Sequence, residues 1–208
     1  RRNGDWKDPL GNLPSAWPKQ VDMKGITSYA TPEEMIADPQ IDLIDITMPT
    51  DLHAEVAIMA LKAGKHVFSE KPMARTSRDA KKVEAVAAKS KGYYMVGQCI
   101  RFWPQYVKIK ELVDSKKYGQ VRSVALRRLA GPPMYSSENW LMQYPRSGGA
   151  ALDLHLHDVD FMAYLMGKPK SIVAQGTKGP SKGWDHVEAF WKYPGDKQIG
   201  RASCRERV

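Results

Sequence analysis

Two local patterns in the sequence combine residue types and spacings suited to proton transfer. The first is Glu70-Lys71-Pro72, which directly follows the strand-like run KHVFSE at 65–70. A lysine at the C-terminal end of a parallel strand faces the crevice where open α/β sheets bind ligands. There it can donate a hydrogen bond to a substrate oxygen or, with a lowered pKa, shuttle its proton. It fits equally well a surface lysine ahead of a turn-forming proline. The second pattern is Asp153, His157, Asp160 and Tyr164, which recur at helical steps beside an apolar series of Leu152, Leu156, Val159, Ala163 and Met166. A carboxylate one turn before an imidazole can orient it and stabilise its charge, as a general base near neutral pH requires. The bland counterpart is a solvated polar face with an incidental pair. His155 points away from the Asp153–His157 line on one continuous helix, so no mononuclear metal site is expected. Arg101-Phe102-Trp103 suits an anion or a sugar ring, or simple packing.

The elements that must position these groups alternate. Residues 41–48 (IDLIDITM) read as a parallel strand covered on both faces. Thr31-Pro32-Glu33-Glu34 is a capping box that opens a short helix through Ala37. Leu52, Val56, Met59, Ala60 and Ala63 fall at helical spacing, with Gly64 as the stop. A strand at 65–70, a helix at 77–90 and a strand at 93–97 follow. This alternation implies right-handed crossovers and a parallel sheet. It is the second half of a doubly wound nucleotide-binding fold, with the first strand-helix-strand unit not in the sequence. Beyond Cys99 the pattern changes to a helix at 104–116, a strand at 120–129, a helix at 149–166 and strands at 171–176 and 185–193. The fold class is therefore α/β: a partial Rossmann-type sheet over 1–100, then an incomplete α+β unit with a mostly antiparallel sheet over 101–198.

The chain ends are expected to be cut. Residues 1–25 read as a loop joined to something earlier. Residues 199–208 (IGRASCRERV) look like translated sequencing adapter and are set apart from the fold. Those ten residues carry three arginines against one glutamate, so setting them aside lowers the net charge from +9 to +7. The remaining positive charge is scattered, which disfavours a nucleic-acid partner. With 42% hydrophobic and 26% charged residues, the 208-residue chain is neither disordered nor collagenous, and no apolar run is long enough to span a bilayer. Cys99 and Cys204 make neither a disulfide framework nor a metal site.

Taken in order, Thr47-Met48-Pro49-Thr50-Asp51-Leu52-His53, Ala63-Gly64-Lys65-His66-Val67, Glu70-Lys71-Pro72-Met73-Ala74, Arg101-Phe102-Trp103-Pro104, and Gly148-Gly149-Ala150 through Asp153, His157 and Asp160 resemble the glucose-fructose oxidoreductase and inositol dehydrogenase (Gfo/Idh/MocA) family. The resemblance runs from about Ile26 to Gln198. It implies hydride transfer between NAD or NADP and a hydroxyl carbon of a sugar, cyclitol or polyol, with Lys71, Asp153 and His157 as the catalytic set. In that scheme His157 accepts the hydroxyl proton, Lys71 stabilises the developing alkoxide and Asp153 orients His157. It also implies that Met48, Pro49, Thr50, His53, Glu70 and Lys71 contact the cofactor, that Arg101 and Asp160 contact substrate, and that the Lys71-Pro72 bond is often cis. Relatives commonly carry a small residue where this chain has His155. An NAD-dependent glycosidase of the same family, and a non-catalytic sugar-sensing or nucleic-acid-associated protein, are the alternatives. The full-length protein is expected to be a homo-oligomer, with the cytoplasm as the default compartment.

The glycine-rich pyrophosphate loop and the acidic ribose-binding residue of such proteins are absent from this sequence. The 208-residue chain is therefore expected to bind NAD(P) weakly or not at all and to show no turnover; measurable dehydrogenase activity from it would contradict this.

Overall fold

The computed structural model describes residues 22–194 and 199–206. Residues 1–21, most of the expected opening loop, and 195–198, which include part of the expected turn after Tyr193, lie outside the described residues. Helix α1 (Pro32–Ala37) begins as the capping pattern predicts. Thr31 Oγ1 accepts from the Glu34 amide at 3.3 Å, and Glu34 Oε2 accepts from the Ala30 amide at 2.7 Å.

Strands β1 (Leu43–Ile46), β2 (His66–Glu70) and β3 (Tyr94–Gly97) form a parallel sheet in that order. Helix α2 (Thr50–Lys62) links the first pair and α3 (Ser77–Ala87) the second. Thr76 caps α3 by accepting from the Asp79 amide at 3.1 Å. Ile44, Ile46 and Val67 pack with Val56, Ala57, Ala60, Leu61 and Val83. Ala57 and Ala60 have no exposed surface, and their small side chains let α2 lie close to the strands. The expectation of a strand covered on both faces is not met at β1, where burial alternates and Leu43 is 53% exposed. Two right-handed crossovers running the same way put both helices on one face of the sheet.

A 3₁₀ turn (Cys99–Phe102) leads into helix α4 (Pro104–Asp114), then strand β4 (Ser123–Ala130). A segment containing a 3₁₀ stretch (Ser137–Met142) and the short helix α5 (Tyr144–Ser147) returns the chain to α2. Next come α6 (Gly149–Asp153), α7 (His155–Met166), β5 (Ser171–Lys178) and β6 (Trp184–Lys192). The second sheet is closed by β7 (Ile199–Glu206), giving the order β4-β7-β6-β5. Strand β7 runs parallel to β4 and antiparallel to β6. Residues 199–206, which the sequence pattern set apart from the fold, thus supply an inner strand. Ladder pairing uses backbone groups, so a segment without apolar periodicity can still occupy it.

The expected continuous helix over 149–166 is broken at Leu154. The Leu154 amide still donates to Ala150 O at 3.0 Å, but the His157 amide donates to Leu154 O at 3.3 Å, a tighter i to i−3 closure. The buried side of α7 differs from the expected ridge, although both lie on the one helix His155–Met166. The buried line of α7 is His155, Asp158, Phe161, Met162 and Leu165, whereas Ala163 of the expected ridge is exposed. Met162 packs with Ala189, Trp191 and Tyr193 of the second sheet. Phe161 and Leu165 pack with Ile100, and Tyr106 meets the Phe161 ring edge-on with centroids 4.7 Å apart. Because Phe161 is 1% exposed at the centre of this cluster, Phe161→Ala should cost about 3–5 kcal/mol, read from urea unfolding.

Candidate active site

The site lies beyond the C-terminal ends of β1 and β2, where α6 and α7 come down from the second unit. Lys71 follows β2, and its bond to Pro72 is cis. Its Nζ donates to Asp153 Oδ1 at 2.5 Å and to the Asp153 carbonyl at 2.8 Å. Both side chains are largely buried, at 16% and 22% exposure. A charge-assisted bond of this kind is among the stronger polar contacts available.

Asp153 is thus committed to Lys71, and the expected Asp153–His157 hydrogen bond does not form. The Lys71 ammonium supplies a charged partner instead. His157 Nδ1 is buried without a hydrogen-bond partner among the described residues. Burial holds the His157 imidazole down to about 4; the charges of Lys71 and Arg128 push the same way, and Asp153 and Asp160 oppose them. The ring is therefore neutral near pH 7, as a proton acceptor must be. His155, buried on the opposite side of α7, is also lowered by burial, with Asp158 opposing.

The other expected contacts are distributed unevenly. Met48 and Pro49 follow β1 and Thr50 opens α2, so this segment does border the strand-end crevice, although Thr50 is itself buried. His53 is buried: its Nδ1 lies 2.7 Å from the Pro72 carbonyl and its Nε2 2.8 Å from that of Met48. It ties the loop after β1 to the loop after β2. Glu70 is exposed, and its carboxylate accepts from the Lys71 amide at 3.2 Å. Arg101 and Asp160, expected at substrate, form a two-pronged pair at 2.7 and 2.5 Å, with the guanidinium over the Tyr164 ring. They line a cavity of about 660 Å³ with Pro72, Gln98 and Leu156, next to the Lys71 site but not sharing its lining.

Three residues at or near this site lack a counterpart among the sequence-predicted ones. Arg128 on β4 donates to buried Asp158 at 2.8 Å and acts electrostatically on His157. Gln98, just after β3, has a buried Oε1 without a partner among the described residues. Asp185 on β6 is buried against the start of α6. The signal for Asp185 and Arg128 is a charged residue on the inward side of an alternating strand. No group of three or more His, Cys, Asp or Glu side chains among the described residues could hold a metal ion. No helix of the described residues is long and apolar enough to cross a membrane.

A parallel sheet, a strand-end lysine, and a carboxylate and imidazole brought in from a second unit define an α/β architecture with a polar cluster at the strand ends. Comparison with known proteins gives the family. Residues 15–98 match the oxidoreductase family with an NAD-binding Rossmann fold, and 106–204 match the GFO/IDH/MocA C-terminal domain. The chain belongs to the Gfo/Idh/MocA family. It is 30% identical to a trans-1,2-dihydrobenzene-1,2-diol dehydrogenase of Xenopus laevis over 82% of this chain and 52% of that one. It is 32% identical to a myo-inositol 2-dehydrogenase of Thermotoga maritima over 72% of this chain and 44% of that one. A levoglucosan dehydrogenase structure, in complex with NADH and levoglucosan, superposes with a TM-score of 0.76 at 27% identity, covering 85% of this chain and 51% of that one. The chain spans about half the length of the curated relatives it matches.

The depressed His157 has a thermodynamic consequence. Its folded value of about 4 lies below the ordinary 6.5, so the unfolded chain binds the proton more readily. Stability from this group is intact above pH 6.5 and is lost as the pH falls from 6.5 towards 4. His157→Gln should flatten the fall in urea midpoint across that window, by roughly 1–2 kcal/mol once partial solvent screening is allowed for.

Proposed function

We propose that the full-length protein transfers a hydride between NAD or NADP and the hydroxyl-bearing carbon of a sugar, cyclitol or related polyol. The observation that carries this is the convergence of Lys71, Asp153 and neutral His157 at the strand-end crevice. The names of the relatives point to small hydroxylated substrates. The proposed dinucleotide unit extends to about residue 100, and the substrate unit follows it.

The site's fit to the dinucleotide is tested by what borders the crevice. The segment from Met48 to Thr50, the Glu70 carboxylate and the Lys71 ammonium surround the position where α/β sheets bind nucleotides. The buried His157 Nδ1, without a hydrogen-bond partner among the described residues, supports a polar group being accommodated there. These residues suit the nicotinamide end, with Met48, Pro49, Thr50, Glu70 and Lys71 as contacts and His53 fixing the two loops behind them. No G-x-G-x-x-G occurs in the sequence, so the chain's own contribution is to that end. When bound, the nicotinamide supplies the hydride acceptor or donor.

The chain's own residues then divide the proton work. His157, unprotonated at neutral pH, takes the hydroxyl proton as the carbon is oxidised. Lys71 donates to the same oxygen and stabilises negative charge as it develops. Asp153 holds the lysine by both its carboxylate and its carbonyl, and so fixes where that donor points. In the reductive direction the same groups act in reverse.

In the full-length protein, Lys71→Ala and His157→Ala should each lower kcat for NADH formation from polyols by about 10²- to 10⁴-fold, with dinucleotide affinity retained. Either variant turning over at near wild-type rates would refute the assignment.

A further inference from the structure

We propose that Asp185 is a positioning residue that sets the Lys71–Asp153 pair from the opposite side of α6. This rests on the assignment of that pair to polyol oxidation. Asp185 lies on the inward face of β6 with Val187, Ala189 and Trp191, where it is the charged member of an otherwise apolar row. It is 2% exposed. Its Oδ2 accepts from the Ser181 amide at 2.7 Å, and its Oδ1 accepts from the Ser181 hydroxyl at 2.6 Å and from the Ala150 amide at 3.4 Å. The first two bonds close the β5–β6 connection around the carboxylate. The third reaches the Ala150 amide in the first turn of α6.

The anchor is needed because of what precedes α6. Gly148 and Gly149 have φ of +85° and +65°, so the turn itself imposes little direction on the helix that follows. At Gly149 a Cβ would lie 3.0 Å from both Asp185 Oδ1 and Ser181 Oγ, so the backbone is seated directly against the anchor. Gly183, in the same connection, admits the Tyr144 ring where a Cβ would meet it at 1.8 Å. The connection thus packs against Gly149 and against the Tyr144 ring of α5. Helix α6 has only five residues, so its direction at Ala150 fixes the position of Asp153 one turn later. Asp153 carries the two acceptors that hold Lys71. Asp185 touches neither Lys71 nor the strand-end crevice in these contacts; it acts through the helix.

The experiment is competitive acylation of the 208-residue chain, comparing Lys71 with Lys65 by mass spectrometry. Lys65 is an internal reference because its Nζ bonds the carbonyls of Asp38 and Ile41, away from α6. Asp185→Asn should raise labelling of Lys71 several-fold relative to Lys65 while cooperative thermal unfolding persists. Ser181→Ala, which removes one donor to the carboxylate, should do so to a smaller degree, and it decides the question if Asp185→Asn does not fold. An unchanged Lys71 to Lys65 ratio in a folded variant would overturn the proposal. This readout needs no turnover, so it stands apart from the fate of the oxidoreductase assignment. In the full-length enzyme, Asp185→Asn should lower kcat roughly 10- to 100-fold at constant KM for the dinucleotide. Equal losses in both would mark Asp185 as merely structural.

Discussion

The salt bridge between Lys71 and Asp153 joins residues 82 positions apart, and the rest of the structure is arranged to let it form. The parallel sheet places Lys71 at a strand end, and the second unit must then deliver a short helix to that spot. Further contacts between the units converge just upstream of that helix. Arg75 donates to the carbonyls of Tyr144 and Pro145 at 3.0 and 3.2 Å, and Arg146 reaches Asp51 on α2 at 3.2 Å. The segment before the double glycine is therefore held from the dinucleotide side, while the second sheet holds it from the other. A largely buried ion pair is strongly destabilising to break on one side only, because the remaining charge stays desolvated. That cost makes the pair a reporter of how the two units sit.

The segment α6–α7 meets two demands at once. Asp153 must face the lysine, and α7 must bury Phe161, Met162 and Leu165 against the second sheet. Helical spacing satisfies both, because Asp153 lies on the side opposite the buried residues of α7. His155 and Asp158 lie on the same inward side of α7. Asp158 survives burial because Arg128 donates to it with both Nε and Nη2, and Arg128 in turn donates to the Tyr106 hydroxyl at 3.2 Å. A polar cluster under an apolar helix is tolerated where its charges are paired.

What the sequence made legible follows the same physics. The first half was readable because each element there obeys a local rule: a capping box before α1, helical spacing through α2, β-branched strands. The motif Glu70-Lys71-Pro72 was placed correctly because a strand end is a local feature. The pairing within the site was not readable, since Asp153 choosing Lys71 over His157 depends on a contact made across the fold. Periodicity over 149–166 suggested one helix, and no residue at Leu154 announces a break. Strand β7 was hidden for a different reason: ladder hydrogen bonds leave no signature in side-chain pattern. The family resemblance places Arg101 and Asp160 at the substrate, whereas in the structure they bond each other, which leaves less for a ligand.

The electrostatics of His157 show why the charged groups come in pairs. Two cations, Lys71 and Arg128, disfavour a proton on the ring, and each carries its own carboxylate, Asp153 or Asp158. Bare cations would repel one another across the cleft and would be costly to bury. Bare carboxylates would draw a proton onto the imidazole and fill the acceptor. Pairing each cation with a carboxylate keeps the neighbourhood close to neutral, so burial of the ring becomes the dominant influence and holds it unprotonated. Under the proposed oxidoreductase reading, Lys71 then remains a donor while the His157 imidazole stays unprotonated.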